Sequence, residues 1–212
     1  MVDTTKFLVK ETNAIIGYTQ SDEITLILYS GNMDSAIYND GKKQKILSKL
    51  TGKTVSYFNE RRKELLPDHN KVANFDCRIF QVPNLHWATN SLLWRENDAS
   101  KNSISMLAQS EFPHKELLGL NGNQMQDKLM TEKGINWNDL DVKFKRGTYV
   151  KRSVVTKAFT ADELDTLPPG HNARRNPQLL IERSVIEVQD YPVFQKIKNK
   201  VGVVFNNEQP IV

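Results

Sequence analysis

The sequence predicts an α+β fold in which helices cover one face of an antiparallel sheet. Three observations lead to this class. A β-branched and apolar run from Ile24 to Tyr29 follows a turn-tolerant stretch, which is typical of a β-hairpin. Residues 42–66 repeat apolar side chains at helical spacing. Residues 72–82, VANFDCRIFQV, alternate apolar and polar side chains as a half-buried strand does.

The composition is that of a soluble globular protein. The 212 residues are 39% hydrophobic and 25% charged, which suits one domain, or one domain with an appended lobe. No apolar run is long enough to span a bilayer and no targeting pattern follows Met1, so we expect a cytoplasmic protein without a membrane partner. The single Cys77 excludes an internal disulfide, and the four histidines are too scattered for a zinc site. The net charge of +4 permits an RNA partner without requiring one.

The hairpin segment GYTQSDEITLILY, residues 17–29, carries an acidic pair at its expected tip. A reversal over residues 19–22 would place Asp22 and Glu23 there. The pair is either a solvated acidic turn or part of a site for a divalent cation. Oxygen ligands alone favour magnesium or manganese, and such sites normally take a further carboxylate from another strand. Because successive strand residues face opposite ways, we expect the two carboxylates to have different roles.

The elements around the hairpin are helical. A short helix is predicted over Asp3–Asn13, with Asp3 as its capping residue. After the hairpin, Gly31–Gly41 is rich in turn-forming residues. A longer helix is predicted over Lys42–Leu66, and Pro67 ends it because proline cannot continue the backbone hydrogen bonds.

The strand predicted over residues 72–82 leads into another helix. This helix begins at Pro83-Asn84, continues through WRENDASKNSISM, and is expected to direct four apolar residues at the sheet: Leu85, Trp87, Ala88 and Leu92. The order helix, hairpin, helix, strand, helix is that of a polymerase-palm-like (ferredoxin-like) β-α-β-β-α-β unit without its first strand. We therefore expect a palm-like sheet whose first strand is missing.

The second half of the chain is predicted to be a less regular α/β extension. Its two loop arginines, Arg174 and Arg175, would contact either RNA or solvent. The predicted elements are a short helix around Met125, Leu129 and Met130, a capped helix over Thr160–Leu167, and strands over Leu180–Val188 and Val201–Phe205.

Six motifs, in their order and spacing, resemble those of the tRNA-His guanylyltransferase family, in its bacterial and phage branch. They are TQSDEITLILY, FDCRIFQVP, WRENDASKNSISM, AQSEFPHKEL, GINWN and FKRGTYV. Each motif is weakly specific alone, whereas the ordered set is highly specific. The resemblance extends from about Thr4 to the C-terminus.

The resemblance implies an enzyme that adds nucleotides in the 3′-to-5′ direction at the 5′ end of tRNA. In that family a 5′-monophosphate is activated with a nucleoside triphosphate, and the 3′-hydroxyl of an incoming nucleotide then attacks the activated end. The implied substrates are GTP and ATP, the cofactor is Mg²⁺ as two ions, and the partners are tRNA, nucleoside triphosphates and further copies in a dimer or tetramer. It also implies a palm-like catalytic domain over residues 1–112 and a tRNA-binding and oligomerisation region over residues 113–212.

The resemblance further implies roles for individual residues. Asp22 matches the family's metal-binding aspartate, and Glu23 matches a second acidic residue needed for catalysis in a role that we do not assign. The residues implied to bind the nucleotide and its triphosphate are Ser21, Lys42, Lys45, Arg95, Lys101 and Asn102. Those implied to bind tRNA are Lys145, Arg146, Lys151 and Arg152. The alternative interpretation of this basic region is an ordinary strand edge that is exposed to solvent.

The chain departs from the family pattern at two places. The Asp-Gly-Arg metal motif of the family's first strand has no counterpart, and Ser100 stands where eukaryotic members carry a histidine linked to selection of tRNA-His. The first departure leaves three interpretations open: a nucleotidyltransferase, a catalytically incomplete tRNA-binding fragment that needs a separate N-terminal segment, or a palm relative that cyclises or condenses nucleotides. The second makes repair of truncated tRNA 5′ ends as plausible as addition of the extra guanosine.

Overall fold

The fold is described from a computed structural model, which covers residues 1–31 and 36–212. Residues 32–35 of the predicted turn-rich connection lie outside the described residues. The helices and strands are α1 Val2–Thr12, β1 Ile16–Gln20, β2 Glu23–Ile27, α2 Lys43–Leu65, α3 Leu85–Glu111, α4 His114–Leu117, α5 Gly122–Lys128, α6 Val142–Arg146, β3 Thr148–Ala158, α7 Ala161–Thr166, α8 Asn172–Arg175, β4 Leu180–Gln189 and α9 Lys200–Phe205. Within the described ranges, no helix combines the length and the hydropathy that a membrane crossing requires.

The four strands form one antiparallel sheet in the order β2-β1-β3-β4. Two strands of the sheet, β1 and β2, precede residue 112 in the sequence, and the other two, β3 and β4, follow it. The predicted division into a catalytic domain and a C-terminal region at this residue therefore stays a prediction. Only residues 148–151 of β3 pair with β1, whereas β3 and β4 pair along residues 149–158. The distal halves of β3 and β4 therefore continue beyond the other strands as a two-stranded ribbon.

Apolar side chains on both faces of the sheet hold the helices. On one face, α1 packs through Val9 against Val150, and Gly17 lies so close to Val9 that a Cβ atom there would be 2.8 Å from its Cγ2. On the other face, Leu92 of α3 packs with Ile16 of β1. The α+β class with an antiparallel sheet is confirmed, while the helices lie on both faces rather than on one.

The predicted strand over residues 72–82 is wrong in one respect. Residues 73–80 alternate between half-buried and exposed positions as expected, but within the described ranges they have no partner strand. Their inward side chains pack against α2, as shown by the ring of Phe75, which lies edge-on to Phe58 at 5.2 Å. The sequence pattern predicts the exposure of each side chain, whereas a strand also needs a hydrogen-bonded neighbour.

The predicted strand over Val201–Phe205 is a short helix, α9, in which the successive residues Val203 and Val204 are both fully buried. A short apolar run does not distinguish a buried strand from a buried helical turn. Trp87, expected to face the sheet, is 59% exposed, and Met130 of the predicted short helix is 55% exposed. Leu129 beside it is fully buried.

Helix caps agree better with the sequence. The side chain of Asn84 accepts a hydrogen bond from the Trp87 amide at the start of α3. Thr160 and Glu163 form a reciprocal capping box at the start of α7. Asp3 does not cap α1: Met1 is the N-cap residue, and Asp3 lies in the first turn, where it pairs with Arg61 at 3.2 Å.

Gly147 joins α6 to β3 in a conformation and a space that only glycine fits. Its φ is 73°, and an added Cβ atom would lie 2.6 Å from the Tyr18 hydroxyl oxygen and 2.7 Å from the Thr19 carbonyl oxygen. We expect Gly147→Ala to lower the free energy of unfolding by about 3 kcal/mol, because left-handed strain and a clash with backbone act together.

Urea unfolding measures this effect. The matched control is Gly170→Ala, since a Cβ atom at Gly170 meets nothing within 4 Å and its φ is not left-handed. Equal stability of the two variants would contradict the assignment of Gly147 as a required glycine.

Candidate functional site

The hairpin tip is a two-residue turn. Gln20 pairs with Glu23, and Ser21 and Asp22 form the turn between them. Ser21 has a φ of 51°, a left-handed conformation that is strained for a residue with a Cβ atom. The hydroxyl of Thr19 donates to the Glu23 carbonyl at 2.9 Å and braces the base of the turn. The side chains of all three predicted site residues at the tip are thereby presented to solvent.

An ion pair connects the hairpin tip to α3. Arg95 Nη1 lies 2.8 Å from Glu23 Oε2, and Arg95 Nη2 lies 3.8 Å from Asp98 Oδ2. The amide of Asn102 donates to the same Asp98 carboxylate at 3.2 Å. Residues 95, 98 and 102 share one helix face, so the four side chains make a continuous polar row. The structure brings together three predicted site residues, Glu23, Arg95 and Asn102, while Lys101 is exposed beside them.

The carboxylates at the tip do not by themselves form a site for the implied magnesium ions. No group of three or more potential ligand side chains is assembled anywhere in residues 1–31 and 36–212. The charge of Glu23 is balanced by Arg95, which leaves Asp22 as the carboxylate of the tip that has no ion-pair partner among the described residues. A cation held by Asp22 alone would lack the further carboxylate that a magnesium site in phosphoryl transfer uses.

A buried carboxylate, Glu96, lies directly behind the polar row. It is 3% exposed, accepts a hydrogen bond from the Tyr149 hydroxyl at 2.9 Å, and accepts another from the Phe194 amide at 2.8 Å. Burial raises its pKa, and the two hydrogen bonds and the nearby charge of Arg146 oppose that rise. Burial also raises the pKa of the Tyr149 phenol, and the adjacent Glu96 charge raises it further.

Tyr18 extends this network toward α6. Its hydroxyl donates to the Arg146 carbonyl at 2.9 Å, and its ring centroid lies 4.9 Å from that of Tyr149. Neither Glu96 nor Tyr18 is identified as part of the site from the sequence. A signal for Glu96 existed, because it falls at helical spacing between the buried α3 residues Leu92 and Ala99.

The lysines predicted to bind phosphate lie at the N-terminus of α2. Lys42 precedes the helix and pairs with Asp40 at 3.3 Å, and Lys45 is exposed in the first turn. This end of α2 has no acidic residue in its first turn and no side-chain cap, so positive charge accumulates at the positive end of the helix dipole. Within the described residues, no ion pair or hydrogen bond links either lysine to the hairpin tip.

Two of the sequence motifs pack together around Ser103 of α3. The indole of Trp137, from GINWN, donates to the Ser103 hydroxyl at 3.1 Å. Lys145, from FKRGTYV, donates from its amine to the Asn138 carbonyl and lies 5.4 Å from the centroid of the Trp137 ring. The amine of Lys145 is thus engaged by its own loop, while Arg146 is half-buried beside Glu96.

The prediction that Lys151 contacts tRNA needs correction. Lys151 is 4% exposed and donates from its amine to the Val203 carbonyl, because the central position of β3 directs it into the core. Arg152 is half-buried and donates to the Asn13 side-chain oxygen at 3.1 Å and to the Ser184 hydroxyl at 3.0 Å. Its guanidinium joins β3 to β4 and to the end of α1.

Burial of Lys151 makes stability depend on pH. Burial lowers the pKa of the Lys151 amine to about 8, whereas the pKa of a lysine in the unfolded chain is about 10.4. The unfolded chain therefore binds more protons between these values, and stability rises with pH through that window. We expect Lys151→Met to stabilise the protein by about 2 kcal/mol at pH 7 and by much less at pH 9.5.

Thermal unfolding at the two pH values measures this effect, and Lys157→Met serves as the control on an exposed position of the same strand. A gain that is the same at both pH values would show that the Lys151 amine keeps an ordinary pKa.

Comparisons with known proteins identify the proteins that this chain resembles. The family model of tRNA(His) guanylyltransferase matches residues 1–83. A bacterial tRNA(His) guanylyltransferase-like protein solved in complex with ATP is 36% identical, with 96% of this chain and 77% of that chain covered and a TM-score of 0.75. A bacterial protein of the same description, in complex with GTP, is 31% identical, with 92% and 71% covered and a TM-score of 0.65.

One curated sequence relative carries the same family description. The tRNA(His) guanylyltransferase of Kluyveromyces lactis is 28% identical over 159 residues, with 68% of this chain and 65% of that protein covered. The chain spans 61% and 65% of the lengths of the two curated relatives that it matches first.

Proposed function

Because the chain belongs to the tRNA-His guanylyltransferase family, we propose that it takes part in nucleotide addition, in the 3′-to-5′ direction, at the 5′ end of tRNA. The observation that carries the proposal is the polar row at the hairpin tip, in a chain 36% identical to an ATP-bound relative. GTP and ATP are the proposed nucleotides, and tRNA is the proposed acceptor. Both proposed steps are phosphoryl transfers, in which positioning and charge neutralisation supply most of the catalysis.

Arg95 is well placed to orient a triphosphate. Its guanidinium is held between Glu23 and Asp98, so the fork has a fixed direction before a ligand arrives. Ser21 and Asp22 are presented to the same space by the strained turn. We assign Asp22 as a cation ligand and Glu23 as the residue that positions Arg95, which gives the two carboxylates the different roles expected of them.

The lysines at the start of α2 would neutralise phosphates. Lys42, Lys43 and Lys45 repel one another and the helix dipole, and a bound anion would relieve both effects. Lys42 stands where the resemblance implies an arginine, so its contact with phosphate would be a point charge rather than a bidentate pair.

The substrate range is proposed to be repair of tRNA 5′ ends rather than selection of tRNA-His alone. Ser100, at the position of the implied selecting histidine, donates from its hydroxyl to the Glu96 carbonyl of its own helix at 3.0 Å. Its short side chain is thus turned back onto α3.

A second candidate function is tRNA binding without chemistry. The observation that favours it is the charge balance at the tip, where Arg95 neutralises Glu23 and, within the described ranges, no group of potential ligands surrounds Asp22. This candidate shares the tRNA partner with the first and differs from it in the fate of a nucleoside triphosphate.

Incorporation of labelled GTP separates the two candidates. The substrate is a 5′-monophosphorylated tRNA that lacks its first nucleotide, in magnesium. We expect incorporation that falls at least about 100-fold in Asp22→Asn, because a cation ligand is lost. Asp162→Asn, which removes an exposed carboxylate of α7, is the matched control.

Retention of tRNA should be the same in both variants. Incorporation that is unchanged in Asp22→Asn would contradict the assignment of Asp22. Retention without incorporation by the unsubstituted chain would favour the binding function.

Nucleotide affinity tests the role of α2. We expect Lys45→Ala to weaken GTP binding about tenfold, which is the loss of about 1.4 kcal/mol of attraction to a phosphate. Lys49→Ala, an exposed lysine one turn further along the same helix, is the control and should bind GTP normally. Equal affinities of the two variants in a calorimetric titration would exclude the start of α2 from the nucleotide site.

A further inference from the structure

Three side chains form an outward-facing row along α3, which we call the outer stripe. Trp87, Trp94 and Lys101 follow one another at intervals of seven residues, so they lie on one side of the helix and two turns apart. All three are exposed. Trp94, at 72%, is the most exposed large apolar side chain of the described residues. Two large aromatic rings presented to solvent on one helix face indicate a surface that binds a partner.

Trp94, in the middle of the outer stripe, borders the polar row at the hairpin tip. The Arg95 carbon Cζ lies 5.7 Å from the centroid of the Trp94 ring, and the same guanidinium pairs with Glu23. Trp87 lies two turns nearer the start of α3, about 10 Å from Trp94 along the helix axis. The outer stripe therefore leads away from the candidate site along the surface of α3.

A basic cavity adjoins the beginning of the outer stripe. It has a volume of about 330 Å³ and lies between the first turns of α3 and residues 198–202. From α3 it is lined by His86 and Asn90, which flank Trp87 in the sequence, and from the other segment by Lys198 and Lys200. No acidic side chain of the described residues lines it. The cavity therefore suits an anionic group.

The lysines of the basic cavity keep their positive charge available. The Lys200 amine donates to the Gln195 carbonyl oxygen at 3.0 Å, which fixes its position without neutralising it. Within the described ranges, no aspartate or glutamate forms an ion pair with Lys200 or Lys198. The carboxylate of Glu208, close to this segment, accepts a hydrogen bond from the Asn199 amide at 3.0 Å.

The pattern of polar groups around the two rings favours RNA over a protein partner. A stable protein interface has a contiguous apolar core, whereas Asn90 and Ser91 separate the two tryptophans of the outer stripe. Positive charge lies at both ends of the stripe, in the basic cavity and at Lys101. Exposed aromatic rings between groups that attract phosphate are the combination that binds unpaired nucleotides.

We propose that the outer stripe and the basic cavity bind an unpaired RNA strand, with bases stacked on Trp94 and Trp87 and a phosphate in the cavity. Nucleotides in a stacked strand rise about 3.4 Å each, so about three of them join the two rings. The identity of this RNA rests on the proposed function. If the 5′ end of a tRNA lies at the hairpin tip, the unpaired 3′ strand of the same acceptor stem is the single-stranded segment next to it.

A short RNA tests the proposal. The probe is a fluorescein-labelled, single-stranded hexanucleotide of cytidine and adenosine, and fluorescence polarisation measures its affinity for the full chain. We expect saturable binding that is about tenfold weaker in Trp87→Leu and in Trp94→Leu, because each variant loses a stacked base. Met106→Ala, which shortens an exposed apolar side chain on another face of α3, is the control and should bind normally.

An aromatic replacement separates stacking from general apolar contact. We expect Trp94→Phe to keep most of the affinity that Trp94→Leu loses, because phenylalanine retains a π face for the base. Absence of saturable binding would overturn the proposal. Equal affinities of the two leucine variants and the unsubstituted chain would overturn it as well.

The competing occupant of the outer stripe is a second copy of the chain. Sedimentation velocity of the same variants separates the two occupants, and we expect the leucine variants to sediment as the unsubstituted chain does. A changed sedimentation coefficient with unchanged RNA affinity would assign the stripe to a contact between copies and reject the RNA surface.

Salt dependence tests the basic cavity. We expect Lys198→Ala to lower the slope of log affinity against log salt concentration by about 0.7, because one phosphate contact is lost. Lys196→Ala removes an exposed lysine that does not line the cavity, and it should keep the slope. Equal slopes in these two variants would overturn the proposed path of the strand.

The RNA surface and the proposed function fail in different experiments, since hexanucleotide binding needs neither GTP nor a tRNA 5′ end. With tRNA, we expect removal of the unpaired 3′ nucleotides to weaken binding about tenfold in the unsubstituted chain and very little in Trp94→Leu. Incorporation of GTP together with normal RNA binding by both leucine variants would reject the RNA surface alone. RNA binding that depends on both tryptophans, without incorporation, would reject the proposed chemistry alone.

Discussion

The buried carboxylate of Glu96 is the interaction on which the arrangement of the site depends. It accepts hydrogen bonds from the Tyr149 side chain and the Phe194 backbone, so it joins α3 to β3 and to the turn before α9. A carboxylate without these donors would be costly to bury, which means that the three elements pack stably in only this relation. The position of Arg95 depends on the same buried carboxylate. Arg95 directly precedes Glu96 on α3, so the hydrogen bonds that hold Glu96 also fix where the Arg95 guanidinium meets Glu23.

Local patterns in the sequence predict much of the fold and of the hairpin tip. The hairpin, α2, α3 and β4 follow from periodicity and turn chemistry, and both carboxylates are placed at the turn as expected. What local patterns do not contain is pairing between distant segments. Arg95, the ion-pair partner of Glu23, lies 72 positions away in the sequence. The motifs that contain Trp137 and Lys145 pack together beside Ser103 of α3.

The same limit explains the residues that were misplaced. In the sequence, Lys151 belongs to a basic stretch. Its burial results from the register between β1 and β3, which a local sequence pattern does not encode. Residues 73–80 read as a strand because their side chains alternate correctly, although strand assignment also depends on a neighbour. Val203 and Val204 lie in a run too short for periodicity to separate a helix from a strand.

The ribbon formed by the distal halves of β3 and β4 gives the molecule a gradient of local stability. Up to residue 151, β3 is flanked by two strands, whereas beyond it β4 is its one neighbouring strand among the described residues, and several of its side chains are exposed. Two-stranded sheets are marginally stable alone, so the free energy that opens the ribbon is smaller than the free energy that opens the centre of the sheet. The region behind the hairpin tip can therefore remain folded while the distal ribbon frays and re-forms.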